Sequence, residues 1–170
     1  MIAKINVERA RQDTPATKER LHFNNAGAAL MPESVLATVI NHLHLEAKIG
    51  GYEAANQEAE RLEKVYRSIA QLINCQPDEI AVVENATRAW DMAFYSLPLQ
   101  AGDRILTACN EYASNYIASL QMAKLRGVEI DVVENDKYGQ IDLTRLKEKI
   151  DDKVKLIAIT HVPTNGGLIN

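Results

Sequence analysis

The strongest constraint on the fold is a regular alternation that begins at Ile80 and continues to the end of the chain. Short apolar segments suited to β-strands alternate with segments in which apolar residues recur every three or four positions, as in amphipathic helices. The predicted strands are 80–83, 104–108, 128–133 and 154–160, and the predicted helices are 86–96, 114–126 and 143–150. This order predicts an α/β fold, with a largely parallel sheet that has helices on both faces.

The first part of the chain has a different pattern. Residues 1–20 are polar and predict an N-terminal arm or short helix, and the domain proper is expected from residue 21 to residue 170. Apolar residues at helical spacing predict one helix over about 33–48 and a second helix over about 59–73, separated by Gly50 and Gly51. At 170 residues the chain is long enough for one such domain.

Composition excludes several classes of function. The net charge of −4 and the lack of a basic cluster argue against a nucleic-acid partner, and no segment is apolar enough for a membrane span. With no signal-peptide pattern, a cytoplasmic location is expected.

We expect Cys75 and Cys109 to be reduced, buried thiols. His42 and His44 are two positions apart on a predicted helix, so they predict no metal site.

Ligands of parallel sheets bind beyond the carboxyl ends of the strands, where loops lead into helices. One such loop contains Asn85, Ala86 and Thr87, just before a predicted helix, so that main-chain amides and a hydroxyl could hold a phosphate. From these residues alone, the simpler interpretation is that Asn85 is an N-cap and Thr87 a first-turn residue.

Three further segments carry candidate binding residues. Tyr112 follows the second predicted strand and could stack on a planar ring, although a packed rim residue is the alternative. Thr164 and Asn165 lie in a loop with two glycines after the last strand. Asn25, Ala26 and Gly27 form a run of amides and small residues that suits close approach of a ligand, with an ordinary turn as the alternative.

Taken in order, four segments resemble the class V aminotransferase family, whose members use pyridoxal 5′-phosphate. They are HFNNAGAAL, VVENATRAWDMA, CNEYASN and IAITHVPTNGG, and the resemblance covers residues 21–170. It implies the N-terminal part of the large, cofactor-binding domain of a fold-type I enzyme, ending before that domain is complete. The family includes cysteine desulfurases, kynureninase-like enzymes and isopenicillin N epimerase-like proteins.

The resemblance also implies residue roles. Asn85, Ala86 and Thr87 would hold the cofactor phosphate, and Tyr112 would stack on the pyridine ring. Thr164 or Asn165 would contact the ring hydroxyl. Residues 25–27 would lie near an amino acid substrate.

The family's catalytic groups are expected outside these residues. Its Schiff-base lysine and the aspartate that pairs with the pyridine nitrogen would follow Asn170, so we assign no catalytic residue within this chain and expect the 170 residues alone to be inactive. The complete form is expected to be a homodimer.

Within the family, the isopenicillin N epimerase-like branch is the first choice. A cysteine desulfurase or selenocysteine lyase is the enzymatic alternative, disfavoured because desulfurases usually carry a histidine where this chain has Tyr112. A nucleotide-binding module lacks the glycine-rich turn that it would need. A folded, non-catalytic chain that acts through protein contacts is the alternative of another class.

Overall fold

The computed structural model describes residues 5–164 and 166–170, which divide into two compact units. The first unit is Met1–Val82 and the second is Val83–Asn170. The described part of the first unit contains the helices α1 (Val7–Gln12), α2 (Glu33–Ile49), α3 (Gly51–Gln57) and α4 (Ala59–Ile73). Short 3₁₀ turns cover Pro15–Lys18 and Pro77–Glu79. The predicted helices over 33–48 and 59–73 are therefore confirmed.

A glycine ends the long helix α2. Gly50 has a φ of 100°, a conformation that is energetically unfavourable for residues with a Cβ atom. Its amide donates to the carbonyl of Glu46. The apolar stripes of α2 and α4 leave side chains such as Val39, Leu43 and Leu62 substantially exposed. Among the described residues of this unit, Ala54 and Ala70 are the buried apolar side chains.

The second unit contains a three-stranded parallel sheet with the strand order β2–β1–β3. The strands are β1 (Arg104–Ala108), β2 (Glu129–Val133) and β3 (Val154–Ala158). Helices α5 (Ala86–Tyr95), α6 (Ala113–Arg126) and α7 (Leu143–Lys149) accompany them. Both neighbours of β1 run parallel to it, which confirms the predicted α/β fold.

Side chains of β1 alternate between two apolar cores, one on each face of the sheet. Ile105 packs with Phe94, Met122 and other residues of α5 and α6, whereas Leu106 packs with Val133 and with Leu146 of α7. Ile105 and Leu106 are both 0% exposed. Because successive strand residues point to opposite faces, this pairing places helices on both sides of β1.

The structure corrects two expectations from the sequence. Residues 80–83 are not assigned to a strand, since within the described chain no neighbouring strand forms a hydrogen-bonded ladder with them. Cys109 is exposed and Cys75 is half-buried, so the expectation of buried thiols is wrong. Cys109 follows the last residue of β1, beyond the packed core, and its Sγ lies 3.4 Å from the carbonyl oxygen of Val133.

Candidate functional site

The start of α5 presents main-chain amides that its own cap does not use. Asn85, in extended conformation, accepts a hydrogen bond at Oδ1 from the amide of Arg88 at 2.9 Å. The amide of Ala89 donates to the carbonyl of Asn85 at 3.1 Å. The amides of Ala86 and Thr87 precede these bonds and have no partner within the helix, so the positive end of the helix dipole is open to an anion. Asn85 is thus an N-cap, as the simpler interpretation held, and that role is compatible with phosphate binding.

A second helix start lies beside the first. Oγ1 of Thr87 and Oγ of Ser114 are 3.5 Å apart, although 27 residues separate them in sequence. Each is the second residue of its helix, α5 or α6. Two helix starts, each with a hydroxyl, therefore meet at one place, and both helix dipoles favour negative charge there. Sequence reasoning missed Ser114, because no local pattern links it to Thr87.

Next to this pair lies a cavity of about 220 Å³ at the carboxyl ends of β1 and β3. Tyr112, Thr164 and Pro163 are among its lining residues, together with Asn110, Glu111, Ala113 and Thr160. Tyr112 is 49% exposed, so part of its ring is available for contact. The structure therefore brings together two of the residues that the sequence singled out, Tyr112 and Thr164. Thr87 approaches Ser114, which follows the lining residue Ala113.

The predicted substrate-contacting residues belong to the first unit. Asn25, Ala26 and Gly27 form an exposed turn in the first unit, in which the Gly27 amide donates to Oδ1 of Asn24 at 3.1 Å. A Cβ at Gly27 would lie 2.7 Å from Nδ2 of Asn24, so a larger residue here would require the Asn24 side chain to move. Asn165 lies outside the described residues.

A cluster of ion pairs lies on the same sheet, outside the residues that line the cavity. The Asp131 carboxylate accepts hydrogen bonds from Nζ of Lys149 at 2.7 Å and from Nη2 of Arg104 at 2.5 Å. Arg104 also donates to Asp151 at 2.8 Å. The hydrogen bond from Lys149, followed by that from Arg104, holds the pKa of Asp131 below its ordinary value. None of these residues lines the cavity, so we assign the cluster to stability.

Other kinds of site are not found in the part of the chain that the structure describes. Over residues 5–164 and 166–170, no three His, Cys, Asp or Glu side chains are grouped so that they could hold a metal ion. No helix within those ranges has the length and apolar character needed to cross a membrane.

Comparison with known proteins gives consistent results. A family profile described as aminotransferase class-V matches residues 21–170. A probable cysteine desulfurase of Pyrococcus abyssi is 29% identical over 168 residues, which cover 96% of this chain and 42% of that protein. The chain therefore spans less than half the length of the curated relatives that it matches.

Solved structures show the same fold. A mutant of C-DES with glycine covalently linked to its PLP cofactor superposes with a TM-score of 0.80 at 20% identity, covering 94% of this chain and 42% of that one. The cysteine desulfurase CsdA from Escherichia coli gives a TM-score of 0.80 at 21% identity, covering 98% and 44% respectively. At these identities the similarity establishes the fold alone.

Proposed function

Because this chain belongs to the class-V aminotransferase family, we propose that it is part of the cofactor-binding large domain of an enzyme that acts on an amino acid. Members of this family use pyridoxal 5′-phosphate. This cofactor consists of a flat, partly apolar ring that carries a compact anionic phosphate. A protein that binds the cofactor therefore needs hydrogen-bond donors for the phosphate and a stacking surface for the ring. The second unit offers both.

One observation carries this proposal, namely the 3.5 Å approach of the Thr87 and Ser114 hydroxyls at the starts of α5 and α6. A phosphate there would receive hydrogen bonds from two hydroxyls and from the open amides of Ala86 and Thr87. Asn85 caps α5 without adding negative charge, so it leaves the helix dipole available to the anion. These features fit a phosphate group.

The neighbouring cavity fits the rest of the cofactor. The Tyr112 ring would stack on the pyridine ring, and Thr164, or Asn165 beside it, would hydrogen-bond the ring hydroxyl. When bound, the cofactor supplies an electron sink for carbanions formed at an amino acid. In this proposal, the residues of the chain bind and orient that group, and they carry no proton-transfer role.

The substrate class, the assembly and the location are also proposals. Asn25, Ala26 and Gly27 would contact the amino acid, and the complete enzyme would be a cytoplasmic homodimer whose cofactor lysine follows Asn170. Within the family we retain an isopenicillin N epimerase-like activity as the first choice. Tyr112 supports it, because a tyrosine can stack on the ring but cannot act as an imidazole acid or base near neutral pH.

A second candidate is cysteine desulfuration, since relatives covering 96% of this chain are described as probable cysteine desulfurases. The two activities differ in their products. Incubation of the complete enzyme with cysteine and a thiol that accepts the sulfur atom as a persulfide would produce alanine if the second candidate is correct. An inverted α-carbon with the carbon–sulfur bond intact would favour the first.

The proposal is tested first at the phosphate. Pyridoxamine 5′-phosphate is the suitable probe, because it carries an amine in place of the aldehyde and so cannot form imines with surface lysines. Titration of the chain by calorimetry should show binding at one site. Pyridoxamine, which lacks the phosphate, should bind at least about tenfold more weakly. Equal affinity for the two compounds would contradict a phosphate site, and absence of binding would favour a non-catalytic chain that acts through protein contacts.

A further inference from the structure

Glu111 makes a hydrogen-bond pattern that the proposed cofactor contacts do not include. It follows β1 by three residues, and its carboxylate accepts hydrogen bonds from residues on both sides of the cavity. On one side the donors are the amide of Tyr112 at 2.8 Å and Nδ2 of Asn115 at 3.3 Å. On the other side they are the amide of Thr160, at 3.1 Å, and the hydroxyl of the same residue.

All four donors are uncharged. Among the described residues, no Lys, Arg or His nitrogen lies within 4 Å of the Glu111 carboxylate. This separates Glu111 from Asp131, whose carboxylate is held by two cations. The half-buried Glu111 carboxylate therefore forms no ion pair with these donors. Its hydrogen bonds mainly fix the positions of the groups that donate to it.

These bonds join two separate walls of the cavity. Tyr112 and Ala113 form the start of α6, whereas Thr160, Pro163 and Thr164 belong to the segment after β3. Over the described residues, the contacts of Glu111 with Thr160 are the hydrogen bonds that connect 109–116 with 159–170. Asn170 holds Thr160 from its other side, because its Nδ2 donates to the Thr160 carbonyl at 2.8 Å.

Tyr112 depends on this arrangement directly. It is the N-cap of α6, yet it provides no side-chain cap, and its own amide is bound by Glu111. The main chain that carries the Tyr112 ring and the main chain that leads to Thr164 are thus both attached to one carboxylate.

We propose that Glu111 is a positioning residue that fixes the distance between Tyr112 and the Thr160–Thr164 segment, so that a planar heterocyclic ring fits between them. This inference rests on the proposed function and deepens it. It assigns ring recognition to the Glu111 bridge and leaves phosphate recognition to the starts of α5 and α6. The two parts of the ligand should therefore respond differently to a change at Glu111.

Glu111→Gln is the primary test. The amides of Tyr112 and Thr160 are bound by different carboxylate oxygens, and glutamine offers only one acceptor oxygen. One amide therefore loses its acceptor in either orientation of the new side chain. We expect the dissociation constant for pyridoxamine 5′-phosphate to rise about tenfold, while the affinity for inorganic phosphate, measured by competition, stays unchanged.

A matched control makes the same chemical change elsewhere. The carboxylate of Glu79 accepts a hydrogen bond from the amide of Gln76 at 2.7 Å in the first unit, and neither residue lines the cavity. Glu79→Gln should leave both affinities unchanged. If Glu111→Gln does not fold, Thr160→Val removes one donor to the same carboxylate and should raise the dissociation constant for pyridoxamine 5′-phosphate about threefold.

The outcomes separate the two proposals. Loss of affinity for pyridoxamine 5′-phosphate with unchanged phosphate affinity supports the positioning role. Equal losses for both ligands, or no loss for either, overturn that role, while the proposed phosphate site still rests on binding by the unaltered chain. If the unaltered chain fails to bind pyridoxamine 5′-phosphate, the proposed function is wrong and the role of Glu111 is wrong with it.

Discussion

The starts of α5 and α7 have similar sequences, but their N-cap side chains differ in charge and in the number of main-chain amides that they bind. Each helix has an Asx N-cap and a threonine as its second residue, Thr87 in α5 and Thr144 in α7. In α7 the Asp142 carboxylate accepts from the amides of both Thr144 and Arg145. In α5 the neutral Asn85 accepts from the amide of the third residue alone.

This difference shows how one local motif can serve either stability or binding. The carboxylate at α7 opposes the positive end of the helix dipole and accepts from two of its first amides, so this helix start disfavours an external anion. The start of α5 keeps an open amide at Thr87, adds no negative charge and has the Ser114 hydroxyl beside it. The local signal of a capped helix is the same in both places, and the start of α5 is the one that we propose for the phosphate.

The largest effect is expected when α5 is given the cap of α7. Asn85→Asp retains a capping oxygen but places a carboxylate beside the proposed phosphate. Two such charges about 4 to 6 Å apart at a protein surface repel by several kcal/mol, so affinity for pyridoxamine 5′-phosphate should fall at least about a hundredfold. Calorimetric titration measures the loss. Asp142→Asn, the reverse exchange at α7, should leave affinity unaltered, and an unaltered affinity in Asn85→Asp would place the phosphate elsewhere.

A smaller effect is expected from the two threonines. Thr87→Ala removes one hydrogen bond to a charged group, which corresponds to about a tenfold to hundredfold loss of affinity for pyridoxamine 5′-phosphate, with little change in melting temperature. Thr144→Ala makes the same change at the equivalent position of α7 and should leave that affinity as it is. A lowered melting temperature with unchanged affinity in Thr87→Ala would make Thr87 a structural residue.

Asp131 provides a charge change that should affect stability alone. Asp131→Asn weakens the bonds from Lys149 and Arg104, and we expect a loss of about 1 kcal/mol in the free energy of unfolding, because the cluster is partly solvated. Urea denaturation measures this loss, and ligand affinity should not change. Asp151→Asn, at a more exposed partner of Arg104, should cost less. A larger cost at Asp151 would show that Asp131 is not the centre of the cluster.

The smallest expected effect is a difference between two pH dependences, that of ligand affinity and that of the free energy of unfolding. The pKa of Asp131 is lowered from 3.8, so its stabilising contribution is present above about pH 4 and is lost as the pH falls through the folded-state pKa. The second pKa of a phosphate ester is about 6. Between pH 7.5 and 5.5, affinity for pyridoxamine 5′-phosphate should fall about threefold while the unfolding free energy attributable to Asp131 stays constant. Wild type and Asp131→Asn, compared by denaturation and titration, test this, and a difference in stability that shrinks already at pH 6 would contradict it.

Much of the second unit could be predicted from sequence because its signals are local. Apolar periodicity located α5, α6 and β1, and the rule that parallel strands share a carboxyl edge brought Tyr112 and Thr164 into one neighbourhood. The failures involve partners that are distant in sequence. Residues 80–83 have strand-like composition, but a strand requires a neighbour to pair with, and composition does not supply one.

The missed residues have the same explanation. Ser114 meets Thr87 across 27 residues, and Glu111 meets Thr160 across 49. In the sequence they are an ordinary first-turn serine and a loop acid. Their significance arises from packing of α5 beside α6 and from the pairing of β1 with β3, which only the folded chain displays.

The central claim is that the phosphate group itself contacts the start of α5, and a cycle of two ligands and two proteins tests it most directly. Dissociation constants of pyridoxamine 5′-phosphate and of pyridoxamine are measured for the unaltered chain and for Thr87→Ala. We predict that the substitution weakens binding of the phosphorylated compound about tenfold or more and leaves pyridoxamine affinity unchanged. Equal weakening of both compounds, or of neither, would contradict the claim.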